Sequence, residues 1–501
     1  DDVCRQEFGY GLTDEGVHIL DPFTGTGTFI VRLLESGIIR PEDLARKYAS
    51  ELWANEIMLL AYYIACVNIE TTYQAIVRAN QLGVEVPYVP FAGATLTDTF
   101  QITEDGDRAD TSLIPVNNDR IEAQLAAPIK VIVGNPPYSA GQGSANDNNA
   151  NLKYPSLDAR IAETYAARSS ATLKNSLYDS YIRAFRWATD RIGEQGVIGF
   201  VSNNGWVDGN TADGIRKTFT DEFSNIWVYN LRGNARTAGD LRQREGGGVF
   251  DSGARTGVAV LIAAKRADAA GPCKLHYFGV ADYQTRENKL AAISLAGLAV
   301  IHDQLAPNED GDWLNQRNAA FTAFSAISSS ESRQGPAHFA LQSGGLKTNR
   351  DAWCYNFGRT ALEAHMTATI AAFNAASSHY SDASSLNLDS KKISWSSGLT
   401  PRALRGDQYE FRSSAVRTAL YRPFSTQFAY FDDAFNDRRG RLPAIFPTRH
   451  HANLGFYVVG AGSDKPFAAL ATMLLPDLAF WGSSSGQIFA RWTYDKVADL
   501  G

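Results

Sequence analysis

The sequence has no surplus of positive charge. Its 501 residues carry 47 Lys and Arg against 54 Asp and Glu, a formal net charge of −7. A basic field over the whole surface is thereby excluded, and a nucleic-acid partner would have to be met by local positive charge. Cysteine is scarce. Cys4, Cys66, Cys273 and Cys354 stand far apart with no CxxC pair, so neither a zinc site nor a disulfide framework is implied and no metal is expected. This usage fits a reducing cytoplasm. The longest uncharged apolar run, near Leu290–Ile301, is too short to span a bilayer, and no membrane partner is expected. No signal peptide is visible. No GxxxxGK[ST] stretch occurs, so there is no sequence sign of an ATPase, and no separate nuclease region is recognisable. The chain opens on Asp1 rather than Met and stops at Gly501 just after a polar, aromatic segment. It reads as a piece of a longer polypeptide.

What is present is an ordinary globular composition, 44% hydrophobic and 20% charged, at a length that suggests two or three domains. The first half alternates short apolar runs with amphipathic stretches. Val17–Leu20, Glu51–Ala54, Lys130–Val133, Val197–Val201, Ile226–Asn230 and Gly257–Ala263 are expected as buried strands. Phe29–Ser36, Ile57–Asn68 and Ser180–Arg191 are expected as helices. This is the βαβ pattern of a parallel sheet covered by helices. Lys274–Val280 is expected to pair with the apolar run Thr256–Ala264 as an antiparallel edge hairpin. The Asn-rich Gly141–Asn151 is expected as a loop. After about residue 290 the alternation stops and Ser-rich stretches, aromatics and arginines take over. A domain boundary is expected there, dividing the chain into 1–290 and 291–501.

Three motifs carry chemistry. Asp21-Pro22-Phe23-Thr24-Gly25-Thr26-Gly27-Thr28-Phe29 follows the first strand and opens a helix. Glycines there let backbone amides approach a ligand at the helix start. Ile30 stands where a dinucleotide fingerprint needs its third glycine, which argues against NAD. Leu52-Trp53-Ala54-Asn55-Glu56 reads as a second strand tipped by a carboxylate, able to accept both ribose hydroxyls of a nucleoside. Ile132-Val133-Gly134-Asn135-Pro136-Pro137-Tyr138 places a polar residue, two rigid prolines and an aromatic at the carboxyl end of a buried strand. A planar amine is a poor nucleophile because its lone pair is delocalised into the ring. The Asn135 side-chain oxygen and the Pro136 carbonyl can accept its two hydrogens and draw the nitrogen toward tetrahedral geometry. Tyr138 can stack on an extruded base.

These residues resemble the amino-methyltransferases in which the S-adenosylmethionine (SAM) motif precedes the catalytic motif, the gamma-type DNA adenine-N6 enzymes. The resemblance implies a seven-stranded Rossmann-like fold. It also implies SAM as cofactor, with Asp21, Phe23, Thr24, Gly25 and Gly27 in its turn and Glu56 on its ribose. Asp98, in Thr95-Leu96-Thr97-Asp98, falls where the family holds the SAM adenine; a solvated loop carboxylate is the alternative. Phe250, in Gly248-Val249-Phe250, falls where the family places a second aromatic against the target base; a core phenylalanine is the alternative. The catalytic set is then Asn135, Pro136, Pro137, Tyr138 and Phe250.

The resemblance is closest to the Type ISP restriction–modification enzymes. It extends to Leu59–Ala65, Lys174–Trp187, Asn230–Thr237, Lys347–Trp353 and Leu420–Phe424. In that family one polypeptide carries a nuclease, a translocating ATPase, a coupler, a methyltransferase and a target-recognition domain. The expected fold class is therefore α/β, a Rossmann-like methyltransferase sheet followed by a mixed α+β target-recognition domain. Nuclease and ATPase domains are expected upstream, in a bacterial or archaeal cytoplasm. Only about twenty residues precede Asp21, so the helix that usually leads into the SAM turn is expected to be cut short.

The second half interleaves arginines with aromatics. Arg402, Arg405, Arg412, Arg417, Arg422, Arg438, Arg439, Arg441 and Arg449 stand among Tyr421, Phe424, Phe428, Tyr430 and Phe431, with His450 and His451 beyond. Arginine suits both phosphates and guanine edges. Double-stranded DNA is the expected partner, with Arg402, Arg405, Arg438, Arg439 and Arg441 as contacts. Two alternatives remain open. An Asn-Pro-Pro-Tyr enzyme can instead methylate a glutamine amide of a protein, although more than two hundred residues after the last catalytic-domain strand favour DNA. A non-catalytic DNA-recognition module is the other, opposed by the intact Asn135–Tyr138 and Glu56.

Overall fold

Runs that are apolar almost throughout form the centre of a parallel sheet, because helices cover both of its faces. In the computed structural model these are β1 (His18–Asp21), β2 (Leu52–Glu56), β3 (Ala94–Leu96), β4 (Ile129–Gly134), β5 (Gly196–Asn203) and β6 (Asn225–Arg232). They are joined by β7 (Val258–Lys265), β8 (Lys274–Gly279) and β9 (Asp303–Leu305). The order across the sheet is β3-β2-β1-β4-β5-β7-β6-β8-β9. Strand periodicity divides the apolar side chains between the two faces. Leu20, Ile132 and Ile198 pack with Phe185, Trp206 and Phe219. Their neighbours Ile19, Val131 and Val197 pack with Ile30, Ile69 and Tyr73. The structure describes residues 1–80, 87–104, 115–138, 153–171, 174–237, 239–250, 255–268, 271–295, 297–298, 301, 303–316, 320, 323–328, 337–377, 389–422, 425–460, 466–482 and 486–494. The expected loop 141–151 lies outside them.

The expected helices form as Thr28–Glu35, Leu59–Asn80 and Ser180–Arg191. The expected hairpin does not. β7 runs antiparallel between β5 and β6, so both of its edges are already taken. β8 pairs instead with the remaining edge of β6, in parallel. A crossover of this kind cannot be told from a hairpin by the apolar pattern of the two runs alone, because that pattern does not say which strand occupies each edge.

The chain divides into two compact units, Asp1–Arg317 and Asn318–Gly501. This division falls later than the change of sequence texture near residue 290, because β9 still adds to the first sheet, antiparallel to β8. Among the described residues the second unit contains a parallel pair, Ala326–Ser328 with Ala337–Phe339, and two four-stranded sheets. One joins Gln342–Gly344, Gly486–Ala490, Gly455–Val459 and Ala469–Thr472 in antiparallel register. The other joins Tyr355–Asn356, Thr426–Tyr430, Val416–Leu420 and Leu475–Pro476. Helix Arg359–Ala376 buries Leu362, Met366, Ile370 and Phe373 against Val416 and Tyr430 of that second sheet. Among the described residues no helix is long and apolar enough to cross a membrane.

Candidate active site

The strand order turns back at β1: the chain runs outward through β2 and β3, then returns to β4 on the other side of β1. In an open α/β sheet a ligand crevice lies at such a switch, beyond the carboxyl ends of the strands. The three motifs sit there. Asp21 ends β1, Glu56 ends β2, and Asn135 follows β4.

The glycine turn is built by its own hydrogen bonds. Gly25 (φ 57°) and Gly27 (φ 89°) adopt left-handed backbone. At Gly27 an added Cβ would lie 3.3 Å from the Ala65 backbone, so glycine also lets the Leu59–Asn80 helix pack closely. The Thr24 N–H donates to the Asn55 carbonyl at 2.9 Å, tying the turn to β2. Glu56 accepts from the Gly25 N–H at 2.9 Å through one oxygen and from the Met58 N–H at 2.7 Å through the other. Asp21 is fully buried beneath the turn. One oxygen accepts from the Phe23 N–H at 3.1 Å, while Oδ2 has no partner among the described residues. Burial pushes the Asp21 carboxyl up to about 7, opposed by the Phe23 N–H and reinforced by the nearby Glu56 charge.

Asp98 stands just past β3. Its Oδ1 accepts from the backbone N–H groups of Phe100 (3.0 Å) and Gln101 (3.4 Å), and its Oδ2 accepts from the Tyr154 hydroxyl at 2.9 Å. Phe23 packs against Phe100 and Phe200, with ring centroids 5.5 and 6.3 Å apart.

After β4, Asn135 and Pro137 are exposed, Pro136 is buried and Tyr138 is half-buried. The Tyr138 hydroxyl donates to Asn135 Oδ1 at 2.5 Å and approaches the Val201 carbonyl at 3.2 Å. Burial raises the Tyr138 phenol above its ordinary value. An added Cβ at Gly134 would lie 3.1 Å from Asp21 Oδ1, which links β4 sterically to the floor of the glycine turn.

One cavity of about 280 Å³ joins these elements. Phe23, Gly25, Glu56, Asp98, Asn135 and Pro137 line it. Asp21, Thr24, Gly27, Pro136 and Tyr138 do not; they lie in the motifs beside it. Tyr154 and Ser180 also line it and were missed in the sequence. Tyr154 lies in no motif and left no signal, whereas Ser180 stands within the Lys174–Trp187 stretch.

Phe250 is not among the lining residues; it is 40% exposed. Because β7 runs antiparallel, its first residue Val258 lies opposite Asn203 at the end of β5, and the chain enters from the same sheet edge as the cavity. The segment before Phe250 is anchored. Lys289 Nζ donates to the Glu245 and Gly247 carbonyls, each at 2.8 Å, and Arg286 Nε donates to the Val249 carbonyl at 3.0 Å.

In the second unit the arginines separate into two kinds. Arg402 and Arg439 both pair with Asp433, at 2.8 and 2.7 Å, and Arg405 pairs with Asp407 at 3.0 Å. The exposed side chains of Arg438 and Arg441 enter no ion pair among the described residues. Tyr430 and Phe431 belong to the core. Among the described residues no group of three or more His, Cys, Asp or Glu could hold a metal ion.

Comparison with known proteins bears on this geometry. The Type ISP C-terminal specificity domain matches residues 337–500. A nuclease-deletion mutant of the Type ISP restriction–modification enzyme LlaGI, solved with a DNA substrate mimic, is 37% identical over 99% of this chain, with a TM-score of 0.87. The chain belongs to the Type ISP restriction–modification enzymes. The ATP-dependent Type ISP enzyme LlaBIII, solved bound to DNA, is 37% identical over the whole chain, with a TM-score of 0.87. DrdV, solved as a DNA complex, is 34% identical over 99%, with a TM-score of 0.85. This chain spans 41%, 33% and 48% of the lengths of those three proteins. Comparison with curated proteins finds no match. The Type ISP fold here is a Rossmann-like methyltransferase sheet followed by a mixed α+β unit.

Proposed function

We propose that this chain transfers a methyl group from SAM to the exocyclic amine of adenine in double-stranded DNA. The first unit is the methyltransferase and the second is the target-recognition domain. One observation carries the reading: a single cavity at the sheet's switch point is lined by Gly25, Glu56 and Asp98 together with Asn135 and Pro137. A nucleoside site and an amine-activating motif share one space, which a nucleoside-binding module alone would not need.

The residues fit SAM. Left-handed Gly25 and Gly27 open the turn, Glu56 offers a carboxylate to ribose hydroxyls, and a buried Asp21 oxygen beneath the turn has no partner among the described residues. Bound SAM supplies an electrophilic methyl group on a cationic sulfur. The chain's own residues do the rest. Asn135 Oδ1 and the Pro136 carbonyl accept the two amine hydrogens and localise the nitrogen lone pair. In the structure Asn135 Oδ1 already accepts from Tyr138, so an arriving amine displaces that hydroxyl while the Tyr138 ring stacks on the base. Asn135 is exposed, so the proton shed by the methylated nitrogen has solvent to receive it.

In the second unit Arg438 and Arg441 offer phosphate contacts without first breaking an ion pair, and the paired Arg402, Arg405 and Arg439 are secondary contacts. Nuclease and ATPase domains belong to the upstream part of the complete polypeptide. The alternative acceptor is a protein glutamine amide. The second unit, matched by a specificity domain over 337–500, favours DNA. The test is transfer of labelled methyl from SAM in the presence of both DNA and protein. Label in DNA supports the reading; label confined to protein overturns it.

A further inference from the structure

Tyr154 lines the cavity without belonging to any of the motifs, and its side chain has little freedom. It is 3% exposed. Its ring meets Phe100 edge to face, with centroids 5.2 Å apart at 70°. The Arg183 guanidinium lies 5.2 Å from the ring centre, and Arg183 is itself fixed by two hydrogen bonds to Asp158, at 2.8 and 2.9 Å. Held in this way, the Tyr154 hydroxyl donates to Asp98 Oδ2 at 2.9 Å. The other Asp98 oxygen is held by the Phe100 and Gln101 N–H groups.

The consequence for Asp98 follows from its hydrogen-bond inventory. An ionised carboxylate has about four acceptor sites and no donor. Donors on both oxygens fix its plane, and acceptor capacity is left for the cavity that Asp98 lines. A carboxylate so fixed accepts a hydrogen bond from an amino group and has nothing to give a carbonyl oxygen.

We propose that Tyr154 is a positioning residue that holds Asp98 as an acceptor-only reader of the cofactor's purine, selecting a 6-amino over a 6-oxo nucleoside. This rests on the reading of the cavity as the SAM site. Removing the hydroxyl takes away the donor that holds Asp98 Oδ2 and frees that oxygen to rotate, so selection between the two purines weakens. Loss of packing alone would weaken both ligands together.

The experiment is calorimetric binding of S-adenosylhomocysteine and S-inosylhomocysteine to the purified protein and to Tyr154→Phe, which keeps the ring and its contacts. The wild type should prefer the adenosyl ligand by at least about tenfold, the scale of one charged hydrogen bond. Tyr154→Phe should lose about tenfold in adenosyl affinity and less than about twofold in inosyl affinity, so that the preference shrinks. Equal losses for both ligands, or an unchanged preference, would overturn the proposal. If Tyr154→Phe lacks a cooperative thermal melt, Asp98→Asn decides, since it should shift preference toward the inosyl ligand; an unshifted preference overturns the proposal. A wild type that binds neither ligand overturns the cofactor reading and the proposal with it. A wild type that binds both equally overturns the proposal and leaves the cofactor reading standing.

Discussion

The Tyr138 hydroxyl and Asn135 Oδ1 lie 2.5 Å apart, so the acceptor proposed for a target amine is occupied within the motif itself. Asn135→Ala removes the acceptor altogether, and methyl transfer should fall by roughly 100-fold or more, the scale of losing one preorganised electrostatic contact. SAM affinity should be largely unchanged, because the lost contact is made to the reacting amine. Tyr138→Phe keeps the ring, frees the acceptor and should cost far less. Single-turnover transfer rates beside calorimetric SAM binding check both, and wild-type turnover in Asn135→Ala would sink the assignment.

Glu56 accepts from the Gly25 N–H of the glycine turn and from the Met58 N–H just past β2. Glu56→Ala should weaken SAM binding by roughly 1.5–3 kcal/mol, the worth of charged hydrogen bonds. Unchanged affinity by calorimetry would show that Glu56 has no part in binding SAM.

Asp21 provides a pH test. Its carboxyl is pushed up to about 7 by burial, against an ordinary value of 3.8. Between those values the folded state binds more protons than the unfolded state, so this group lowers stability as pH rises through the window. Asp21→Asn should therefore gain on the wild type progressively from about pH 4 to pH 7, by at most roughly 4 kcal/mol, and stay level above that. Denaturant unfolding at several pH values reads the difference; a difference that does not vary with pH would contradict the buried, partly protonated carboxyl.

The sheet was legible because its strands are apolar on both faces, and the meeting of the glycine turn, Glu56 and Asn135 at one end of the sheet was legible because glycines and prolines mark where backbone must turn. What could not be read depends on distant partners. The β7 run looks like an edge hairpin partner until its two edges are found occupied by β5 and β6. Tyr154 reaches Asp98 across 56 residues of chain, and no local pattern announces such a contact. The arginine cluster looked uniformly cationic, yet Asp407 and Asp433, standing within it, neutralise Arg405, Arg402 and Arg439.

That pairing sharpens the DNA prediction. Charge reversal at Arg438 and Arg441 together should weaken DNA binding and lower the salt slope by about 2, one unit per lost phosphate contact. Reversal at Arg439 alone should do less, because its charge is already met by Asp433. Binding measured from low to high salt checks this. A double variant with the wild-type affinity and slope would place DNA contact elsewhere in the second unit.

With the methyl donor in the cavity, as proposed, an adenine inside a duplex could not reach it without leaving the stack. 2-Aminopurine at the target position should brighten on binding, and Phe250→Ala should reduce methylation. A probe that stays quenched in a productive complex would rule out extrusion.

The central claim is that Asn135–Tyr138 and the SAM turn together methylate adenine in DNA. Its most direct test is to incubate the protein with DNA and labelled SAM, digest the DNA to nucleosides and identify the labelled product. The account predicts N6-methyladenosine as its deoxynucleoside, abolished by Asn135→Ala; label in methylated cytosine, or in protein with none in DNA, would contradict it.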